Sequence, residues 1–196
     1  MFIELTDHLR CPEDHPESFL VLLPDVLAGR SVRTGTLGCP VCDRRFALRD
    51  GVLDTGGAPA GDDAGPTKLT PEVLAPLLGL GGPGGYLVLV GLPGSAWREV
   101  AERIPGVGLV AVNPPEPVVD EEGISVLRGD RLPLKSRSMR GVALGAPFGK
   151  DPRWVGEAAR VLLPGLRVVG EGRDPPPERI DLMASAGGVW VGSPRR

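Results

Sequence analysis

The sequence predicts an α/β fold, in which a mostly parallel sheet with helices on both faces follows a small β-rich unit that holds a metal. Two observations support this prediction. From Tyr86 onward, short continuous apolar runs alternate with helical segments, which is typical of a doubly wound parallel sheet. The three cysteines of the chain all lie within its first 42 residues, and the last two form a C-P-V-C turn.

The cysteines Cys11, Cys39 and Cys42 are spaced as zinc ligands. The C-P-V-C turn aims two thiolates at one point, because its proline stiffens the turn, and the earlier C-P-E-D-H segment supplies the third. A closed structural zinc site takes four ligands, so either His15 or Asp14 would complete it. We prefer His15, because imidazole is the commoner ligand in structural zinc sites.

The alternative interpretation is three buried thiols without a metal. A disulfide framework is not expected, because the number of cysteines is odd and nothing resembles a secretory signal peptide.

The chain divides into three predicted segments. Residues 1–53 form the metal-binding unit, with a strand at 19–23, further strands on either side of the C-P-V-C turn, and a D-G turn behind them. Residues 54–69 are rich in glycine and proline and lack apolar periodicity, so they are interpreted as a linker. Residues 70–196 form the α/β unit.

The elements of the α/β unit follow from its apolar pattern. The first helix has Thr70 as N-cap and Pro71 at its first position, and G-G-P-G-G at 81–85 stops it. Strands are predicted at 86–90, 107–112, 124–128, 141–146, 166–170 and 188–191. Further helices are predicted at 95–103, 152–162 and 177–186.

Composition excludes several classes of protein. A net charge of −3 and a pI near 5.5 argue against a generally basic surface that binds nucleic acid by releasing counterions. No apolar run is long enough to span a bilayer, so we expect a cytoplasmic protein without membrane association. Glycine and proline make up about a quarter of the chain, which we assign to turns and the linker.

Two charged runs and three tryptophans have simple interpretations. The acidic run at 120–122 is interpreted as a solvated turn, and the tryptophans as core residues. A basic run is interpreted as a solvated loop face, with contact to RNA phosphate as the alternative. The tryptophans are Trp97, Trp154 and Trp190, and the basic residues are Arg128, Arg131, Lys135, Arg137 and Arg140.

The α/β unit resembles class I S-adenosylmethionine (SAM) methyltransferases, which have a Rossmann-like fold. L-V-L-V-G-L-P-G-S lies where the family has its glycine-rich first loop, and R-G-D-R-L-P-L resembles its G-D-x-x-x-L-P segment. E-A-A-R-V-L-L-P-G resembles the stretch before the fifth strand. The resemblance implies that SAM would be held by Gly91 and Gly94 in the first loop, Asn113 after the second strand and Asp130 after the third.

The same motifs depart from the family pattern at the cofactor. The first loop of the family normally reads acid-x-G-x-G-x-G, but here Pro93 replaces a glycine and removes an N–H group. Asn113 stands where an acidic residue normally holds the ribose hydroxyls, and it lacks the charge that strengthens such bonds. No residue is an evident general base, so no catalytic residue is assigned.

The first unit resembles the small zinc-ribbon activator subunits of tRNA, rRNA and release-factor methyltransferases. It has the C-P…C-P-x-C arrangement, followed by Phe46 and by an Asp50-Gly51-Val52 turn. A zinc module also precedes the methyltransferase domain in certain rRNA guanine methyltransferases. The resemblance implies a zinc ion and, as partner, a larger methyltransferase or a translation component.

Three functions are compatible with these observations. The leading hypothesis is a zinc ribbon fused to a degenerate methyltransferase-like unit that acts as a non-catalytic or weakly SAM-binding adaptor in the methylation of translation components. The alternative is an active SAM-dependent methyltransferase acting on RNA or on a translation protein. A zinc-stabilised RNA-binding module is disfavoured by the acidic pI and by the scarcity of aromatic residues.

Overall fold

The computed structural model describes residues 1–56, 65–116, 118–172 and 179–195. The strands are β1 (Val21–Ala28), β2 (Ser31–Gly38), β3 (Arg45–Arg49), β4 (Val52–Asp54), β5 (Tyr86–Val90), β6 (Gly108–Val112), β7 (Ile124–Arg128), β8 (Met139–Leu144), β9 (Leu162–Glu171), β10 (Ile180–Ala186) and β11 (Val189–Pro194). The α-helices are α1 (Pro71–Leu78), α2 (Trp97–Arg103) and α3 (Pro152–Val161). Short 3₁₀ helices cover Ile3–His8, Leu92–Ala96 and Phe148–Lys150.

The described strands form one sheet, in the order β1-β2-β3-β4-β7-β6-β5-β8-β9-β11-β10. Its centre, β7-β6-β5-β8-β9, is parallel and follows the doubly wound order 3-2-1-4-5 of a Rossmann-like sheet. This confirms the predicted fold class. On one side β11 and β10 extend this centre by antiparallel pairing, and on the other side β4 joins it in parallel and is followed by the antiparallel strands β3, β2 and β1.

The strands on either side of the C-P-V-C turn belong to the same sheet as the α/β unit. Strand β4 pairs in parallel with β7, with Leu53 opposite Leu127 and Asp54 opposite Arg128. Of the predicted linker over 54–69, residue 54 therefore lies in a strand, whereas residues 57–64 are outside the described part of the chain.

One face of the parallel sheet is covered by the N-terminal segment. Residues 129–138, which join β7 to β8, are all described and contain no helix, although such crossovers are usually helical. Instead, Leu132 and Leu134 of this connection pack into one core with Leu5 and Leu9, and all four are fully buried. Helix α3 completes this face, so the first unit supplies part of the layer that the parallel sheet requires.

The opposite face is covered by α1 and α2, which pack on the central strands. Helix α1 begins as predicted, with Thr70 at the N-cap and Pro71 at the first position, and it ends at Gly79 in the left-handed conformation. All three tryptophans are buried, which confirms their assignment to the core. None of the helices in the described ranges is long and apolar enough to cross a bilayer.

The predicted helix over 177–186 is wrong. Residues 177 and 178 lie outside the described ranges, and Ile180–Ala186 form β10, paired antiparallel with β11. The cause is Gly187-Gly188, whose φ angles of 62° and 82° allow a two-residue hairpin turn that places Ala186 opposite Val189. Pairing across this turn outweighs the helix propensity of the M-A-S-A segment.

The interpretation of 120–122 as a solvated turn is wrong for Asp120, which is buried. Its carboxylate lies 2.6 Å from the α-ammonium of Met1 and 3.1 Å from a guanidinium nitrogen of Arg33. Burial raises the pKa of Asp120, and the ammonium partly offsets this effect. A Cβ atom at Gly51 would stand 2.3 Å from the Asp120 carboxylate, so the D-G turn must carry glycine here. The ion pair ties the first unit to the loop before β7.

The shared core gives a stability prediction. Replacing Leu9, which is fully buried, with alanine should lower the free energy of unfolding by about 3 kcal/mol, because a cavity opens between the first unit and the sheet. The matched change Leu27→Ala, on the exposed strand β1, should cost less than about 0.5 kcal/mol. Urea unfolding followed by tryptophan fluorescence measures both, and equal effects would contradict a shared core.

Candidate functional site

Four side chains converge at the tip of the first unit: Cys11, His15, Cys39 and Cys42. Their ligand atoms all lie within 4.8 Å of one another. The Cys11 and Cys42 sulfurs are 3.7 Å apart, and His15 Nε2 is 3.4 Å from the Cys39 sulfur. Tetrahedral zinc with ordinary bond lengths requires about 3.8 Å between sulfurs and about 3.6 Å between sulfur and nitrogen. The residues present therefore fit a structural zinc ion.

Backbone pairing holds the cysteines in place. The N–H of Cys11 donates to the carbonyl of Ser18 at 2.8 Å, which closes the loop that carries His15. Cys39 follows the end of β2, and its N–H donates to the carbonyl of Arg44 at 2.9 Å. Asp43, at φ 57°, returns the chain toward β3. Strands β2 and β3 thus fix the C-P-V-C turn.

His15 presents its Nε2 atom to the thiols. Its Nδ1 lies 2.7 Å from the carbonyl oxygen of Pro16 and must donate a proton, since a carbonyl only accepts. This bond raises the pKa of His15, and it also leaves Nε2 as the atom that binds a metal, which is the usual support for a histidine ligand. Asp14, the alternative fourth ligand, is not part of the cluster of four.

The thiols differ in acidity. Burial opposes the thiolate at Cys39, but backbone N–H groups of Cys42 and Val41 stabilise its sulfur and lower its pKa to about 6. Burial is the main cause that raises the pKa of Cys11 to about 12, and the negative charge on Cys39 adds to this effect. A divalent metal removes this conflict, since it neutralises several thiolates at once.

A polar network joins the metal-binding loop to helix α3. Arg10 lies 3.4 Å from Glu17 in the loop and 3.9 Å from Glu157 in α3. Glu157 also accepts from Arg160 at 2.7 Å, and Arg160 donates to the carbonyl of Leu134 at 2.7 Å. The E-A-A-R motif therefore has a structural use: it holds the 129–138 connection against the first unit.

Sequence reasoning missed Arg10 and Glu17, the two members of this network in the first unit. Glu17 additionally accepts from the hydroxyl of Ser136 at 2.5 Å. The available indication was their position on either side of the predicted ligands, because their partners in the α/β unit lie more than a hundred residues away in the sequence.

The four residues predicted to hold SAM lie at or near the carboxyl edge of the parallel strands, where ligands bind in such sheets. Gly91 follows β5, Asn113 follows β6, and Asp130 follows β7 and is exposed. Two backbone donors of the first loop are engaged internally, since Gly91 N–H donates to the carbonyl of Val112 and Gly94 N–H to that of Gly91. Pro93 between them has no N–H group.

The side chain of Asn113 is also engaged. Its Nδ2 donates to the carbonyl of Gly129 at 2.7 Å, and its Oδ1 accepts from the N–H of Gly129 at 3.0 Å. The residue is buried, with 3% of its surface exposed, and its φ of 48° is one that asparagine tolerates. These two hydrogen bonds join the ends of β6 and β7.

Two prolines pack where the strand ends meet. A Cβ atom at Gly145 would lie 2.5 Å from Pro93 Cδ, and one at Gly94 would lie 3.1 Å from Pro114 Cβ. The first loop is therefore in close contact with the loops after β6 and β8.

Glu171, at the end of β9, was not identified from the sequence. It is buried and accepts from the backbone N–H groups of Lys68, Leu69 and Ala146, and from the hydroxyl of Thr67 at 2.8 Å. It anchors the segment before α1 to the loop after β8. The sequence signal that could have identified Glu171 is its position as an acidic residue directly after a predicted buried strand.

The basic run does not form one face. Arg128 donates to the carbonyl of Pro114 at 3.1 Å, and Arg140 donates to carbonyls of the 81–84 turn. Lys135 lies over the ring of Phe19, 5.2 Å from its centre. These three cations stabilise loops rather than a common surface.

No model of a known protein family and no curated protein matches the sequence. Among solved structures, one similar chain comes from a complex between the Haloferax volcanii Trm112 methyltransferase activator and a protein described as a methyltransferase. It is 26% identical, with a TM-score of 0.38 over 45% of this chain and 45% of that chain. A geranyl diphosphate methyltransferase in complex with GPP and sinefungin is 20% identical, with a TM-score of 0.42 over 51% and 42%.

An S-adenosyl-L-methionine methyltransferase from Silicibacter pomeroyi is 15% identical, with a TM-score of 0.42 over 64% of this chain and 88% of that chain. The chain spans less than half the length of the first two structures. Similarities with TM-scores below 0.5 do not establish a family for this chain. The fold class follows from the strand order of the sheet.

The two histidines provide a matched test of the metal centre. His15→Gln should weaken zinc affinity at least about 100-fold, because structural sites bind with about 10–16 kcal/mol distributed over four ligands. His8→Gln should leave affinity unchanged, since His8 packs against Tyr86 outside the cluster. Competition with a chromogenic chelator measures both, and equal affinity in the two variants would contradict His15 as a ligand.

Proposed function

We propose that this protein is a zinc-stabilised, methyltransferase-like module that acts without catalysis, as an adaptor in the methylation of translation components. The first unit, residues 1–53, would hold zinc through Cys11, His15, Cys39 and Cys42, and residues 70–196 would form the methyltransferase-like domain. The zinc would be structural, because four protein ligands leave no open position for a substrate. The three free thiols suit the reducing cytoplasm, where we place the protein.

The double hydrogen bond between Asn113 and Gly129 is the observation that carries the non-catalytic part of the proposal. A SAM ribose at this edge would need an acceptor at the end of β6, but the amide of Asn113 is buried and already paired. The first loop adds to this, since Gly91 and Gly94 use their N–H groups internally and Pro93 has none. SAM would have to break the hydrogen bonds of Asn113 before it could use this side chain.

The contacts between the two units support an adaptor that is built as one body. The parallel pairing of β4 with β7 and the network of Arg10, Glu17, Glu157 and Arg160 hold the zinc ribbon on the methyltransferase-like domain of its own chain. A larger methyltransferase or a translation component would then meet the combined surface. The resemblance of the ribbon to activator subunits supports this class of partner.

Calorimetric titration with SAM tests the non-catalytic assignment. The zinc-loaded protein should bind SAM with a dissociation constant weaker than about 1 mM. Saturable binding in the low-micromolar range would instead favour the alternative, an active methyltransferase that uses Gly91, Gly94, Asn113 and Asp130.

The variant Asn113→Asp separates the structural role of this residue from a ligand-binding role. It would place a carboxylate oxygen against the carbonyl of Gly129 and should lower the free energy of unfolding by about 2 kcal/mol without creating SAM affinity. Urea unfolding with and without SAM measures this. A variant that SAM stabilises would contradict the proposed role of Asn113.

Affinity purification tests the partner. The tagged protein should retain a methyltransferase or a ribosomal or release-factor protein, identified by mass spectrometry, and His15→Gln should retain less of it if the folded ribbon contributes to binding. Recovery of neither class of protein would contradict the adaptor role.

A further inference from the structure

A groove lies at the amino edge of the parallel strands, opposite the edge predicted to hold SAM. It has a volume of about 1040 Å³ and lies between α3 and the ends of β9 and β11. Four arginines line it, namely Arg137, Arg160, Arg179 and Arg195, and none of its lining residues in the described part of the chain is acidic. In a protein with a net charge of −3, this is a local concentration of positive charge.

The four arginines divide into two pairs. Arg160 is neutralised by Glu157 at 2.7 Å, and Arg195 by Asp181 at 2.9 Å. In contrast, the guanidinium groups of Arg137 and Arg179 form no ion pair or hydrogen bond with any residue in the described ranges. Within the described part of the chain, the groove therefore keeps two positive charges that no carboxylate offsets.

Backbone geometry presents these two arginines to the groove. Arg137 has a φ of 52°, a conformation unfavourable for a side chain of this type, and its N–H donates to the carbonyl of Arg160 at 2.9 Å. The side chain of Arg179 lies above α3, where a Cβ atom at Gly156 would be 3.9 Å from Arg179 Cδ. Gly156 and Gly165 in the lining add no side-chain bulk.

We propose that this groove binds the phosphodiester backbone of double-stranded RNA, with Arg137 and Arg179 each contacting a phosphate. Guanidinium groups match phosphate in charge and in geometry. The lining contains no aromatic side chain that could stack on exposed bases, which favours a duplex over a single strand. An extended acidic peptide is less suited, because none of the lining residues belongs to β10, the edge strand on this side of the sheet, where a peptide could pair.

The test uses the full zinc-loaded chain and a fluorescent RNA duplex of about 16 base pairs, with anisotropy measured between about 50 and 200 mM salt. The double variant Arg137→Gln/Arg179→Gln should bind at least about tenfold more weakly at fixed salt. The slope of log affinity against log salt should fall in magnitude by about 2, one unit for each lost phosphate contact.

The control is Arg30→Gln/Arg98→Gln, which removes the same charge from the β1–β2 turn and from α2, and which should bind as the unaltered protein does. Thermal unfolding checks that both variants fold. If RNA affinity fell equally in the two variants, the loss would reflect net charge rather than the groove, and the proposal would be overturned. Absence of RNA binding, or displacement of the duplex by a glutamate-rich peptide at equal charge concentration, would overturn it as well.

Discussion

A parallel sheet must be covered on both faces, and this requirement organises the molecule. Here the connection between β7 and β8 has no helix, so one face would expose apolar residues to water. The N-terminal segment covers it with Leu5 and Leu9, which are fully buried beside Leu132 and Leu134. The first unit is itself too small for an independent core, so each part completes the other.

A second requirement, the pairing of buried polar groups, explains the carboxyl edge of the sheet. Buried polar groups have to be paired, whether by a ligand or by the protein. In this chain Asn113 is hydrogen-bonded to Gly129, and Glu171 accepts hydrogen bonds from the segment before α1. The loops at this edge are consequently held together by hydrogen bonds within the chain.

Much of the fold was predictable because its signals are local. Continuous apolar runs identified the five central strands, and the Cys39-Pro40-Val41-Cys42 turn with Cys11 and His15 identified a cluster whose atoms do converge. The C-terminal hairpin was missed because a tertiary pairing outweighed a helical pattern. The glycine pair at 187–188 is a hairpin-turn signal, and it predicts this region better than helix propensity does.

The burial of Asp120 and the network around Arg160 could not be predicted in the same way. Their partners, Met1 and Arg33 for the first and Arg10 and Glu17 for the second, are distant in the sequence. Charged residues in a run give no indication of which of them faces a buried partner. Only the folded arrangement of the two units makes these pairings visible.

The pairing of β4 with β7 within one chain also affects how firmly the two units stay together. For two separate proteins that associate through such strand pairing, the fraction that stays associated depends on their concentrations. When both strands belong to one polypeptide, the local concentration of each toward the other is of millimolar order or higher. Dilution would then have little influence on this contact, and the ratio of the two units would always be one to one.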